Sequence, residues 1–219
     1  MTRVFIDGEA GTTGLQIHGR LRAREDIEMI SLPDDRRKDL AARAEAINAS
    51  DVTILCLPDA AARESVSLLT NDTTRIIDAS TAHRVDDAWT YGFPEMTRAH
   101  GAEVAAARRV SNPGCFPTGA IALLRPLREA GLLAADAPVT INAVSGYTGG
   151  GKALIAEMEA QDAPPFFYYG LDQGHKHLPE ITKYALLDHA PVFVPSVGRF
   201  AQGMVVQVPL ALERMMHGA

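Results

Sequence analysis

Apolar residues fall along the first eighty positions in short, dense runs set apart by longer amphipathic stretches. "RVFID" (3–7), "EMISL" (28–32), "VTILCLP" (52–58) and "RIIDAS" (75–80) read as strands, and the stretches between them carry apolar residues at three- and four-residue spacing. "TTGLQIHGRLRAR", "DLAARAEAINAS" and "DAAARESVSLL" are therefore expected to be helices, the last with Asp59 in the capping position after Pro58. Strand and helix in alternation predict an α/β fold, a parallel sheet with crossover helices. After residue 115 the pattern changes. "PTGAIALLRPLREAGLL" predicts a helix stopped by Gly131, and "PVTINAVSG", "PVFVPSVG" and "MVVQVPLALE" predict longer strands. The last two are expected to pair as an antiparallel hairpin around "RFAQG", which makes the second part an α+β domain. The division falls between residues 1–113 and 114–219.

Composition narrows the partners. A chain that is 47% hydrophobic and 22% charged is ordinary for a globular protein of one or two domains. Its net charge of -6, without a long basic run, argues against nucleic acid or an anionic membrane and leaves a small molecule as the expected partner. Two cysteines, Cys56 and Cys115, are too few for a disulfide framework. "MTRVFIDG" enters a strand without the features of a secretory signal, and no apolar run approaches the ~18 residues that span a bilayer. A cytoplasmic location is expected.

Chemistry first shows in "IDGEAGTTGLQI". Gly8, Gly11 and Gly14 follow the first strand and lead directly into a helix, with Thr12 and Thr13 among them. Glycines there let a backbone approach the pyrophosphate of a dinucleotide, and a helix N-terminus offers unpaired N–H groups and a positive dipole end. A tight turn alone would use the same residues. The end of the second strand bears on the nucleotide, since an acidic side chain there suits NAD and cations suit a ribose 2′-phosphate. "SLPDDRRK" holds both kinds; Ser31, Arg36 and Arg37 are candidate contacts for NADP(H), or the basic residues are the solvated start of a helix.

Cys115 lies between a Pro-Gly turn and a helix, in "SNPGCFPTGAIAL". The nucleophilic form of a thiol is the thiolate, which a helix N-terminus favours. Cys56, inside an apolar run, reads as a core residue.

"SNPGCFPTGAIAL" resembles the active-site segment of the N-acetyl-gamma-glutamyl-phosphate reductase family. "IDGEAGTTGLQI", "DASTAHR", "YGFPEM", "NAVSGYTGGGK", "HKHLPEI" and "PSVGRFAQGMVVQVPL" resemble the same family in the same order, closest to its shorter second type. The resemblance covers nearly the whole chain and implies an N-terminal Rossmann NADP-binding domain followed by an α+β catalytic and dimerisation domain of the semialdehyde dehydrogenase type. It implies that Cys115 attacks an acyl phosphate, that phosphate leaves a thioester on the enzyme, and that hydride from NADPH reduces it to a semialdehyde. His175 is the expected acid and base and His177 a substrate ligand, although sequence alone does not order the pair. Arg84, Asn112, Glu180 and Arg199 are the other implied substrate ligands. Ser80, Ser145 and Gly146 join the glycine-loop residues toward the cofactor, and "SGYTGGGK" is expected to be a mobile wall, with Lys152 a weaker candidate. A homo-oligomer, dimer or tetramer, is implied. His18, His100, His189 and His217 have no chemical context.

Aspartate-semialdehyde dehydrogenase, with the same chemistry, is the nearest rival, and a non-catalytic nucleotide-binding homologue the second. Family members continue beyond "MVVQVPL" with the rest of the second domain and a final helix, whereas this chain ends at "ALERMMHGA". A protein of these residues alone is expected to be unstable or inactive.

Overall fold

A computed structural model describes residues 1–211, and the chain divides into two compact units, Met1–Pro113 and Gly114–Ala219. In the first unit β1 (Thr2–Asp7), α1 (Thr12–Leu21), β2 (Ile27–Ile30), α2 (Leu40–Ala49), β3 (Val52–Leu55), α3 (Asp59–Ser67), β4 (Arg75–Asp78), β5 (Thr90–Tyr91), α4 (His100–Ala106) and β6 (Arg109–Ser111) follow one another. The strands form a six-stranded sheet in the order β2-β1-β3-β4-β6-β5, parallel at each pairing. Val4, Phe5, Ile6 and Asp7 of central β1 are all buried, as expected where both faces are covered. Against the sheet, Ala46 and Ile47 of α2 pack on Phe5, and Ala62 of α3 packs with Leu55, Ile76 and Trp89.

From β1 the chain moves outward to β2, then returns past β1 to β3. Strand order thus reverses between β1 and β3, the place where ligands bind in open α/β sheets, at the carboxyl ends of the strands. The expected strands run shorter than their apolar letters. β3 stops at Leu55, before Cys56, and β6, just ahead of the "NPGC" turn, was not among them. Asp59 does not cap α3. It is the first helical residue, and its carboxylate accepts instead from Thr81 N (3.0 Å) and Thr81 Oγ1 (2.6 Å).

In the second unit α5 (Cys115–Glu129), β7 (Thr140–Gly146), α6 (Gly151–Glu159), β8 (Phe166–Tyr168), α7 (Leu178–Tyr184), β9 (Val192–Gly198) and β10 (Met204–Gln207) build an α+β layer. α5 buries Phe116, Pro117, Ala120, Ile121 and Leu124 along one stripe and ends at Gly131, whose φ of 69° belongs to the left-handed region. The sheet order is β10-β7-β9-β8, with β7 and β9 parallel and the outer pairings antiparallel.

The hairpin expected around "RFAQG" does not form, because β7 lies between β9 and β10. The connecting loop crosses the end of β7 and is tied there: Phe200 O accepts from Tyr147 N, Ala201 O from Thr148 N, and Gly203 O from Gly146 N. β10 also ends at Gln207, its fourth residue, and the tail of the expected strand (residues 212 and 213), like His217, lies outside the described residues.

Candidate active site

Gly8 is the point of closest approach in the first unit. Its φ is 92°, and a Cβ there would collide with the carbonyl oxygen of Cys56, so β1 can hand over to the loop beside β3 only through glycine. Gly11 is the N-cap of α1 without a side-chain cap bond, and Gly14 is buried where a Cβ would meet the Gly8 carbonyl. Thr12 and Thr13 occupy the first turn, whose N–H groups have no acceptor within the helix.

A cavity of about 560 Å³ opens beside this loop, lined by Gly8, Glu9, Leu32, Arg37, Lys38 and Arg43 among others. Of the residues expected at a 2′-phosphate, Arg37 lines the cavity. Arg36 and Ser31 do not; both are exposed, and Arg36 faces Asp39 at 4.0 Å. Lys38 was not singled out by sequence, although it continues the same basic run. Arg37 pairs with Asp34 at 2.9 Å, and its buried Nε has no hydrogen-bond partner among the described residues. That orphan donor on the wall of the cavity, with a glycine turn and an open helix N-terminus, fits NADP(H) with an anionic group near Arg37 and Lys38.

Arg43 forms the floor. Its Nε and Nη2 donate to Asp7 Oδ2 at 3.2 and 3.1 Å, Nη1 to Glu64 at 2.7 Å, and Ser65 Oγ donates to the same Asp7 oxygen at 2.6 Å. Burial works against the Arg43 charge, but the bonds to Glu64 and Asp7 hold its pKa above the ordinary value. Cys56, beside the loop, is half-buried, and its thiol is pushed up to about 11 by burial and by Asp78 and Asp7. It is no nucleophile at neutral pH.

Ser80 and Arg84 belong to a loop organised by Asp78, which is fully buried at the end of β4. Asp78 accepts from Ser80 N (2.9 Å), Ser80 Oγ (2.8 Å) and His83 Nδ1 (2.6 Å), and the His83 ring stacks on Trp89 at 4.1 Å. Arg84 Nη2 donates to Ala79 O at 3.1 Å. Asn112 is exposed at the end of β6, with its N–H on Asp78 O. His83 escaped the sequence reading; the acidic residue five positions before it was the available signal.

Cys115 is exposed and is the first residue of the fifteen-residue α5. Anions are favoured at such a terminus by the free N–H groups and the dipole. The same unit holds an aromatic and imidazole cluster. Tyr169, in the loop after β8, has its phenol pushed up to about 12, chiefly by burial. The Tyr169 ring lies 5.6 Å from that of His175, which in turn lies 4.6 Å from His177 and 5.0 Å from Phe193.

His175 Nδ1 accepts the backbone N–H of His177 at 3.1 Å, so the neutral imidazole carries its proton on Nε2. Burial, and then Lys176, lower its pKa, with Asp172 opposing. The Gln173 amide holds the loop by pairing with both backbone groups of Phe193, at 2.9 and 2.8 Å, while Gln173 itself adopts a φ of 59°. A non-glycine residue held there signals a loop fixed by its surroundings. His177 is the buried member of the pair, edge-on to Phe116 at 6.0 Å.

Several implied ligands have other partners. Arg199 donates to Met158 O, Ala163 O and Ala160 O, and so closes the C-terminus of α6. Glu180 is 1% exposed and accepts from Gly114 N at 2.7 Å. Ser145 and Gly146 are strand residues of β7, and a Cβ on Gly146 would meet the Ala201 carbonyl. "SGYTGGGK" is not a free wall: it runs from β7 through a single 3₁₀ turn into α6, which contains Lys152.

Two family models match the chain: semialdehyde dehydrogenase, NAD binding domain, over residues 33–104, and semialdehyde dehydrogenase, dimerisation domain, over residues 115–219. Among solved structures, aspartate semialdehyde dehydrogenase with NADP from Candida albicans superposes with a TM-score of 0.65 at 12% identity, covering 96% of this chain and 72% of that one. The Francisella tularensis aspartate semialdehyde dehydrogenase gives 0.63 at 13%, covering 96% and 77%. Such low identities carry the fold alone. Closer in sequence are proteins named N-acetyl-gamma-glutamyl-phosphate reductase, at 62% identity in Chelativorans sp. (strain BNC1) and 58% in Brucella suis. The alignments cover 96% and 97% of this chain and 68% and 71% of those relatives. A glycine loop at the switch point, a cysteine leading a helix and identity of this extent coincide, and the chain belongs to the N-acetyl-gamma-glutamyl-phosphate reductase family.

Proposed function

We propose that the protein reduces N-acetyl-L-glutamyl 5-phosphate to N-acetyl-L-glutamate 5-semialdehyde and phosphate with NADPH, a step of arginine biosynthesis. The observation that carries the reading is Cys115 as leading residue of α5, in one unit with a neutral imidazole at His175. The thiolate attacks the acyl carbon, the C–S bond forms, and the C–O bond to phosphate breaks, leaving a thioester on Cys115. First-turn N–H groups of α5, which have no acceptor within the helix, would be available to the oxygen that gains charge in that step. The Gly8–Gly14 loop, with Arg37 and Lys38, would hold NADPH, which when bound would supply the hydride for the thioester carbon. His175, whose Nε2–H is left as a donor by the bond at Nδ1, gives a hydrogen bond to the alkoxide oxygen and steadies its charge until the C–S bond opens, the carbonyl forms and the Cys115 thiolate is released.

Of the two arginines expected at the substrate, Arg84 lies in the first unit, buried and donating to Ala79 O. Arg199 drops out, since its guanidinium serves α6. For His177, burial favours fixing the His175 ring over touching substrate.

The dimerisation-domain match supports an oligomer, and a second copy would cover the open face of the β10-β7-β9-β8 sheet, where Phe166, Tyr168, Val192 and Val205 are 42–57% exposed. Sedimentation distinguishes dimer from tetramer. No described helix is long and apolar enough to cross a membrane, and a cytoplasmic biosynthetic enzyme is the location proposed.

Mass spectrometry after brief incubation with N-acetylglutamyl phosphate and no NADPH should find an acyl adduct on Cys115. Turnover retained by Cys115→Ser, or activity with aspartyl phosphate alone, would overturn the reading.

A further inference from the structure

We propose that Glu180 is a positioning residue that aims Cys115, and not a ligand of the substrate. The proposal rests on Cys115 being the nucleophile. Gly114 is the N-cap of α5 and the residue immediately before that thiol, in an extended conformation (φ -66°, ψ 151°). Lacking a Cβ, it is the link about which Cys115 would swing most freely. Its carbonyl is fixed by α5 itself, accepting from Thr118 N at 3.1 Å and Thr118 Oγ1 at 2.9 Å.

The N–H is a separate matter. In a capping box a Glu or Gln three residues into the same helix answers the N-cap N–H. In α5 that position is Pro117, which has no side-chain acceptor. The acceptor comes from another helix. Glu180, in the first turn of α7, reaches across with Oε1 to Gly114 N at 2.7 Å. With both ends of the Gly114 residue tied, the direction in which Cys115 leaves the turn is set.

Two further facts favour this role. Glu180 is 1% exposed, so its carboxylate is sealed from the solvent side on which Cys115 lies. It also follows His177 by three residues and His175 by five, so one short segment carries the imidazoles and the clamp.

The test compares Glu180→Ala, Glu180→Asp and Glu180→Gln in the full chain. Alkylation of Cys115 by iodoacetamide, without substrate or cofactor, is followed on its own peptide by mass spectrometry; near-UV circular dichroism checks folding. Ala removes the acceptor and Asp withdraws it by one methylene, so both should alkylate about tenfold more slowly and lose kcat in proportion, with KM for the acyl phosphate little changed. Gln keeps an acceptor oxygen at the same reach and should stay within about twofold of the parent, which also covers the case in which Ala fails to fold. Parental alkylation rates in Ala and Asp with a raised KM would return Glu180 to the substrate and overturn the clamp. So would a loss in Gln as large as in Asp, because charge and not the bond to Gly114 would then be at work. Failure of Cys115 to form an acyl adduct is a different result, which removes the nucleophile and leaves the alkylation comparison readable.

Discussion

Arg43→Ala is expected to destabilise the first unit by about 3 kcal/mol, the lower end of the 3–5 kcal/mol typical of breaking a buried ion pair from one side. The magnitude follows from who is left behind. Asp7, its side chain 4% exposed, would lose both guanidinium bonds at 3.1 and 3.2 Å and keep Ser65 Oγ. The arm to Glu64 adds little, since that carboxylate is 48% exposed and such pairs contribute about 0–1 kcal/mol. The lower end applies because Asp7 lines the 560 Å³ cavity, through which water can reach it once the arginine is gone. Trp89 makes the assay specific: it is the sole tryptophan and is buried in the first unit, so urea unfolding followed by its emission reports that unit. Three kcal/mol is roughly a hundredfold in the unfolding constant, well outside error. Removing both charges, as Asp7→Asn with Arg43→Met, should recover more than half of the loss. A shift below about 1 kcal/mol for Arg43→Ala, or a double variant as unstable as the sum of the singles, would refute the argument that an abandoned Asp7 sets the effect.

Three other perturbations follow from the same geometry. His175 should titrate below the ordinary histidine value of ~6.5 by NMR, higher in Lys176→Ala and lower in Asp172→Asn. Because its folded value is depressed, the stability it contributes is present above the unfolded value and is lost as pH falls through the folded one; activity should fall on that same acid limb. Gly8→Ala forces a Cβ onto Cys56 O at a φ of 92° and should cost about 1–3 kcal/mol by the same Trp89 assay, with weaker NADPH binding. Lys38→Ala and Arg37→Ala should each weaken NADPH about tenfold while leaving NADH nearly unchanged in fluorescence titrations, whereas Arg36→Ala should leave both alone.

What could be read from the chain was what is local. The glycine spacing after β1 and the Pro-Gly turn before Cys115 are fixed by a few consecutive residues, since a positive φ or a helix start needs no distant partner to declare itself. The β9–β10 pairing was misjudged for the complementary reason. "RFAQG" has the letters of a turn, but which strand sits beside which is decided by Gly146, Tyr147 and Thr148, some fifty residues earlier in the chain, whose N–H groups bind that loop. Arg199 and Glu180 share this dependence: the carbonyls at the end of α6 that Arg199 meets and the Gly114 N–H that Glu180 meets lie far along the chain from each. Arg43 is the sharper case, because amid the alanines of α2 it reads as a surface charge. One signal did exist. Asp7 closes a strand directly after three apolar residues, Val4, Phe5 and Ile6, and a carboxylate carried into that core must meet a cation. Sequence could state the demand at Asp7; only the fold, by laying α2 across β1, could name Arg43 as what meets it.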